Sequence, residues 1–212
     1  MKGIRFGNVH SFDDLHLILT EKDMGAPAVK TRKIEIEGAD GSLDLTDFFG
    51  EPKYEDVTHK FQFSTIVPQA EFQTLYSTIK NTIHGKKMRV ILDDDPLFYW
   101  MGRCHVSGFT NEKNVGQVQV ECDCEPYKLK LEKTVVTRAV SGTQAITLTN
   151  GRKRAVPTIT TTAAMTIGFG SGSWTVGAGS YTIPELELVH GTNTVVVTGT
   201  GSISFAWQEG EL

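Results

Sequence analysis

Residues 88–109 read MRVILDDDPLFYWMGRCHVSGF. Met88, Val90 and Leu92 share one phase, and Trp100, Cys104 and Val106 share another, with Asp93-Asp94-Asp95-Pro96 between them. Apolar residues at every second position place one face of an extended chain against a core, and an Asp/Pro cluster turns it. The stretch therefore predicts strand, turn, strand. The same period recurs on either side. Val118, Val120, Cys122 and Cys124 form one set downstream, and Val57, Phe61 and Phe63 form one upstream. Ile34 and Ile36 alternate with glutamates. Each set predicts a strand with one buried face. The period changes once, after Pro68: Phe72, Leu75, Tyr76, Ile79 and Ile83 fall at helical spacing and Gly85 follows as a cap. This predicts one amphipathic helix, about 69–84, lying on a sheet.

Composition changes near Thr134. Residues 1–133 hold 17 Lys and Arg against 21 Asp and Glu, so they carry the whole net charge of −4. Residues 134–212 hold only 4 of each sign, with 16 Thr and 11 Gly. Little charge with much Thr, Val and Gly marks a second domain of short strands and tight turns. We expect domains at 1–133 and 134–212, the boundary falling between Glu132 and Gly142. Seven short strands are expected in the second: Ala145–Leu148, Pro157–Thr161, Met165–Phe169, Ser173–Val176, Ser180–Ile183, Thr194–Thr198 and Ser202–Trp207. TNG, GSG, GAGS, HGTN and TGTG separate them. The fold class is mainly β, with one helix in the first domain and a small antiparallel sandwich as the second.

Several function classes fall away. With a pI near 5.9 and no basic stripe, the chain lacks the charge that drives phosphate binding, so nucleic acid is not an expected partner. The apolar stretches Leu15–Leu19 and Phe98–Met101 are far short of the roughly 20 residues of a spanning helix. The opening MKGIRFGNVHSFDD has no apolar run or cleavage site, so synthesis without a secretion signal is expected. Three cysteines, an odd number, are read as free thiols on inward strand faces. Cys122-Asp123-Cys124 has the wrong spacing for a zinc knuckle, and Asp93–Asp95 reads as an exposed hairpin tip rather than a calcium loop. Gly168–Gly172 leads into strand-like sequence and reads as a turn, not a phosphate cradle. The six histidines are scattered and no nucleophile motif is present, so no catalytic residue, metal or cofactor is expected. Trp174 and Tyr181 suit a sugar-stacking platform or the sandwich core; the core reading is favoured.

KIEIEGADGSLDLTDFFGEPKY, residues 33–54, resembles the signature of the siphophage distal tail protein family. Gly38, Asp40, Gly41, Leu43, Asp44, Leu45 and Tyr54 carry the match, with Glu37 where the family often has Pro. Gly38 and Gly41 suit positive φ, and Asp40 suits a bond to its own backbone. Gly3-Ile4 and Phe6-Gly7, then Glu125-Pro126-Tyr127, Asn150-Gly151, Gly191-Thr192-Asn193 and the terminal GTGSISFAWQEGEL extend the resemblance over most of the chain. Gln208 replaces an Arg common in the family.

The resemblance implies a first domain like a tail-tube subunit, a β-sandwich or split barrel with one helix. It implies assembly into a hexameric ring that is the hub between tail tube and receptor-binding tip. Implied partners are further copies of the chain, the tube protein, a tail-tip, tail-lysin or fibre protein, and the tape-measure protein. The implied place is the virion tail tip of a phage or prophage, assembled in the host cytoplasm. Phe48 and Phe49, beside Asp44, Asp47 and Glu51, suit either a subunit interface or an inward fold; the sequence leaves both open. The runner-up function is a carbohydrate-binding module reading host glycans with the Thr/Gly-rich domain, and a wall hydrolase ranks third.

Overall fold

The computed structural model describes residues 2–48, 50–112 and 115–212. The chain divides into two compact units, Met1–Pro126 and Tyr127–Leu212. This division comes before the point where composition changes. The charged run 128–133 looks like the first half in composition, but β10 (Lys128–Lys130) pairs antiparallel with the C-terminal β17 (Gly210–Glu211).

The first unit contains β1 (Ile4–Phe6), β2 (Val9–His10), β3 (Ile18–Met24), β4 (Lys33–Glu35), β5 (Ser42–Asp44), β6 (Val57–Ile66), α1 (Phe72–Ile83), β7 (Lys86–Leu92), β8 (Phe98–Glu112) and β9 (Val115–Cys124). Seven of its strands form one antiparallel path, β2-β1-β7-β8-β9-β6-β3. Four strand spacings separate β1 from β6, about 19 Å on a flat sheet. Yet the Phe6 ring lies 6.2 Å, edge-on, from both Phe61 and Phe63. The sheet therefore curls until its two ends share one core, as an open barrel does. That core holds Ile4, Phe6, Phe61, Phe63, Val118 and Val120, all fully or nearly buried. Each such side chain stabilises the fold by about 1.5–3 kcal/mol relative to exposure.

α1 forms where the sequence spacing places it, behind a 3-10 turn at Gln69–Glu71. Phe72, Ile79 and Ile83 are buried, and Tyr76 stacks on Phe109 of β8 at 4.3 Å. Gly116 leaves space for Phe72: a Cβ there would meet its ring at 2.6 Å. Gly85 ends the helix at φ +76 and donates its N–H to the Cys104 carbonyl.

The structure corrects two expectations here and adds to a third. Cys104 and Cys122 are not free: they face each other across β8 and β9 with Cα atoms 4.0 Å apart and form a disulfide. Cys124 remains a buried thiol, and burial beside Asp123, Asp56 and Glu125 pushes its pKa up to about 12. Ile34 and Ile36 have no buried face, because β4 pairs only with β5, outside the barrel sheet. Asp93 and Asp94 are latches as well as a hairpin tip. Asp93 accepts from the Gly3 N–H at 2.7 Å and faces His10 Nε2 at 3.1 Å, and Asp94 pairs with Lys22 of β3.

The second unit adds β11 (Thr134–Asn150), β12 (Thr158–Thr161), β13 (Met165–Phe169), β14 (Gly172–Val176), β15 (Gly179–Thr182) and β16 (Gly191–Trp207). β11 and β16 pair along their whole length. The first half of β16 also pairs with β13, and its second half with β12. Two expectations give way. Residues 134–144 form strand instead of a boundary segment, and Thr194–Thr198 and Ser202–Trp207 are one strand running through TGTG. Gly199 and Gly201, at φ +155 and +147, lie within the strand without ending it. Ile146, Leu148, Ile159, Ile167, Val195, Val197, Phe205 and Trp207 fill this unit's own core. Among the described residues, no helix is long and apolar enough to cross a membrane.

Candidate assembly interface

Between β3 and β6 the chain leaves the barrel sheet. Lys30 donates its N–H to the Lys53 carbonyl and Glu55 donates to Ala28, both at 2.8 Å. Val29 and Tyr54 bridge, and Leu45 donates to Arg32 at 2.7 Å. β4 and β5 continue this ladder to a tip at Gly38 and Gly41. The segment is thus a two-stranded arm, and none of residues 25–48 or 50–56 is buried.

The motif residues build this arm. Gly38 and Gly41 take φ +81 and +78, where a side chain is strained although nothing would crowd it. Asp44 accepts the Thr46 N–H at 2.9 Å, and its hydrogen bonds to Thr46 hold its carboxyl below the ordinary value. Thr46 Oγ1 accepts from the Arg32 N–H, tying the two chains together. Tyr54 is half-buried at the root. Asp40 has no hydrogen-bond partner among the described residues; the tip is closed by Ala39 N–H donating to the Ile36 carbonyl.

The arm displays apolar side chains to solvent. Val29, Ile34, Ile36 and Leu43 are all more than two-fifths exposed, and Phe48 is 70% exposed. The inward alternative is closed for Phe48, while Phe49 lies outside the described residues. A second exposed apolar pair sits on the barrel, where Ile66, 74% exposed, faces Val115 at the end of β6 and β9. Neither Ile34 nor Ile36 was read from sequence as a contact residue. A signal was available: an isoleucine alternation flanked by glutamates, in a segment bounded by Gly25-Ala26-Pro27 and Pro52.

Trp174 and Tyr181 stand on β14 and β15, the two outermost strands of the order β14-β13-β16-β12-β15. Each is half-buried and pairs with a buried residue of the neighbouring strand, Ile167 and Ile159. Trp174 packs against the unit's core.

A scan against known protein families finds no match, and neither does a search of curated proteins. Among solved structures the chain is similar to SPP1 Dit (gp 19.1), described as a paradigm of the hub adsorption apparatus in Gram-positive infecting phages. The likeness covers all of both chains with a TM-score of 0.71 and 13% sequence identity. At that identity the likeness shows the fold, which the two chains share over their full length. It supports the family resemblance carried by residues 33–54.

Proposed function

We propose that this chain is the structural subunit of a phage tail hub: a hexameric ring joining the tail tube to the receptor-binding apparatus of a long non-contractile tail. Its work is done by shape and self-association, without chemical turnover. The tube protein on one face and a tail-tip, tail-lysin or fibre protein on the other are the partners this reading requires. The virion tail tip is its place.

One observation carries the reading: a hydrogen-bonded arm with no core of its own that exposes five large apolar side chains. A free monomer gains nothing from such a display, and contiguous exposed apolar surface marks an interface. A closed ring needs two different patches per subunit, because each copy meets its neighbours head to tail. The arm supplies one, and the Ile66–Val115 pair on the barrel is a suitable second. The full-length likeness in fold to a hub protein agrees with this.

Native mass spectrometry and negative-stain microscopy of the pure protein, alone and mixed with its tube protein, test the proposal. Six-fold rings are expected. Phe48→Ser combined with Leu43→Ser is expected to leave a folded monomer. A protein that stays monomeric under both conditions, or rings untouched by the double substitution, would overturn it.

A further inference from the structure

On the solvent side of the barrel sheet, strands β8, β9, β6 and β3 lie side by side. One cross-strand row runs Gly108, Gln119, Gln62, Glu21; the next runs Thr110, Gln117, Ser64. The first row falls where both outer strands bulge, β8 between Val106 and Gly108 and β3 between Leu19 and Glu21. A bulge bends its strand and re-aims the side chains beside it. Two of them at one level cup the Gln62–Gln119 pair. Gly108 deepens the cup by having no side chain, and the result is a cavity of about 410 Å³. That is the size range of small-ligand sites.

The lining decides the ligand. Gln62, Gln117 and Gln119 each present an amide, a donor and an acceptor held on one plane. Ser64 and Thr110 add hydroxyls, as does Thr20, whose hydroxyl donates to the Gln62 carbonyl; Phe63, Phe109 and Val118 form the apolar part of the lining, and Glu21 is its one charge. With no Lys or Arg, and a carboxylate at the rim, phosphate and polyanions are disfavoured. A single carboxylate is too little for a divalent cation. Paired donors and acceptors without net positive charge match adjacent hydroxyls on a ring. We propose that this cup binds a neutral polyhydroxylated ligand, by chemical class an uncharged glycan. The site belongs to the first unit, whereas Trp174 and Tyr181 belong to the second, and it does not depend on the hub reading.

Saturation-transfer NMR with maltotetraose, cellotetraose and chitotetraose tests it on the full chain. Saturable binding of at least one, with Kd on the order of millimolar, is expected. Gly108→Val fills the cup: a Cβ there makes only ordinary contacts, the nearest being Gln119 Cβ at 3.6 Å. Gln119→Ala removes the central amide without touching the core. Each variant is expected to weaken binding at least about tenfold with an unchanged melting curve. If Gly108→Val unfolds the protein, Gln119→Ala decides alone. Absence of saturable binding to all three sugars, or binding that survives Gln119→Ala, would overturn the assignment.

Discussion

His59 stands on β6, 2% exposed, with neither ring nitrogen hydrogen-bonded and its ring edge-on to Trp100 at 5.1 Å. Burial lowers its pKa from the ordinary 6.5, against a smaller opposing pull from Asp23. The unfolded chain therefore takes up a proton as pH drops below 6.5 while the folded chain does not, so protons favour unfolding in that window. Stability from this residue is fully present above pH 6.5 and declines below it, by at most about 1.4 kcal/mol per pH unit. Urea midpoints at pH 7.5 and 5.5 should show the loss in the wild type and a smaller one in His59→Phe. Equal losses in both would assign the slope to other groups. The cysteines give a second test. The Cys104–Cys122 disulfide closes a loop of sequence separation 18, worth about 3 kcal/mol by chain entropy. Cys124, its pKa near 12, stays protonated and does not attack the disulfide. Reductant should lower the melting temperature of the wild type and of Cys124→Ala alike, and leave the Cys104→Ser/Cys122→Ser double variant unmoved.

At the scale of elements, the arm is separable from the fold that carries it. Because none of its described residues is buried, replacing residues 31–52 by Asn-Gly, which turns the chain between the bridged Val29 and Tyr54, should change folding stability by less than about 1 kcal/mol. If the chain assembles as proposed, that assembly should be abolished. A large loss of stability in equilibrium unfolding would show that the arm packs on its own barrel. The same element marks the limit of what periodicity reveals. Met88–Leu92, Phe61–Phe63 and the helix at Phe72–Ile83 were legible because the apolar face of each meets a core within the same chain. Ile34 and Ile36 have the same alternation and meet none. Alternation records that a face is to be covered, and not which molecule covers it. The TGTG run was misleading for another reason. Gly between threonines suggests a turn, but β11 pairs with β16 straight through it, with Gly142 opposite Gly199. Long-range pairing outweighs local turn preference there. The Cys104–Cys122 pair was hidden because its partners are set by strand register, which no count of cysteines supplies. Nor could the sequence place Gly108 in one cross-strand row with Gln119 and Gln62, since that row depends on bulges in two strands.

At the scale of the whole molecule, each unit closes its own core. Among the described residues, the first unit's core cluster is drawn from Ile4 to Cys124 and the second's from Val140 to Trp207. In the second unit β11 and β16 form a spine of 17 paired residues, and β12 to β15 pair with it or with each other. Asn150 and Asn193 brace one end: Asn150 donates to the Lys153 and Leu188 carbonyls, and Asn193 to those of Val189 and Gly191. A unit with its own core, spine and braced loops has what independent folding requires. Residues 127–212 expressed alone should therefore give a dispersed amide spectrum and a single cooperative urea transition. Asn193→Ala should shift that transition down by about 1–3 kcal/mol, because it leaves the carbonyls of buried Leu148 and of Val189 short of a donor. A fragment that binds hydrophobic dye and melts without cooperativity would show that this core closes only in the presence of the first unit.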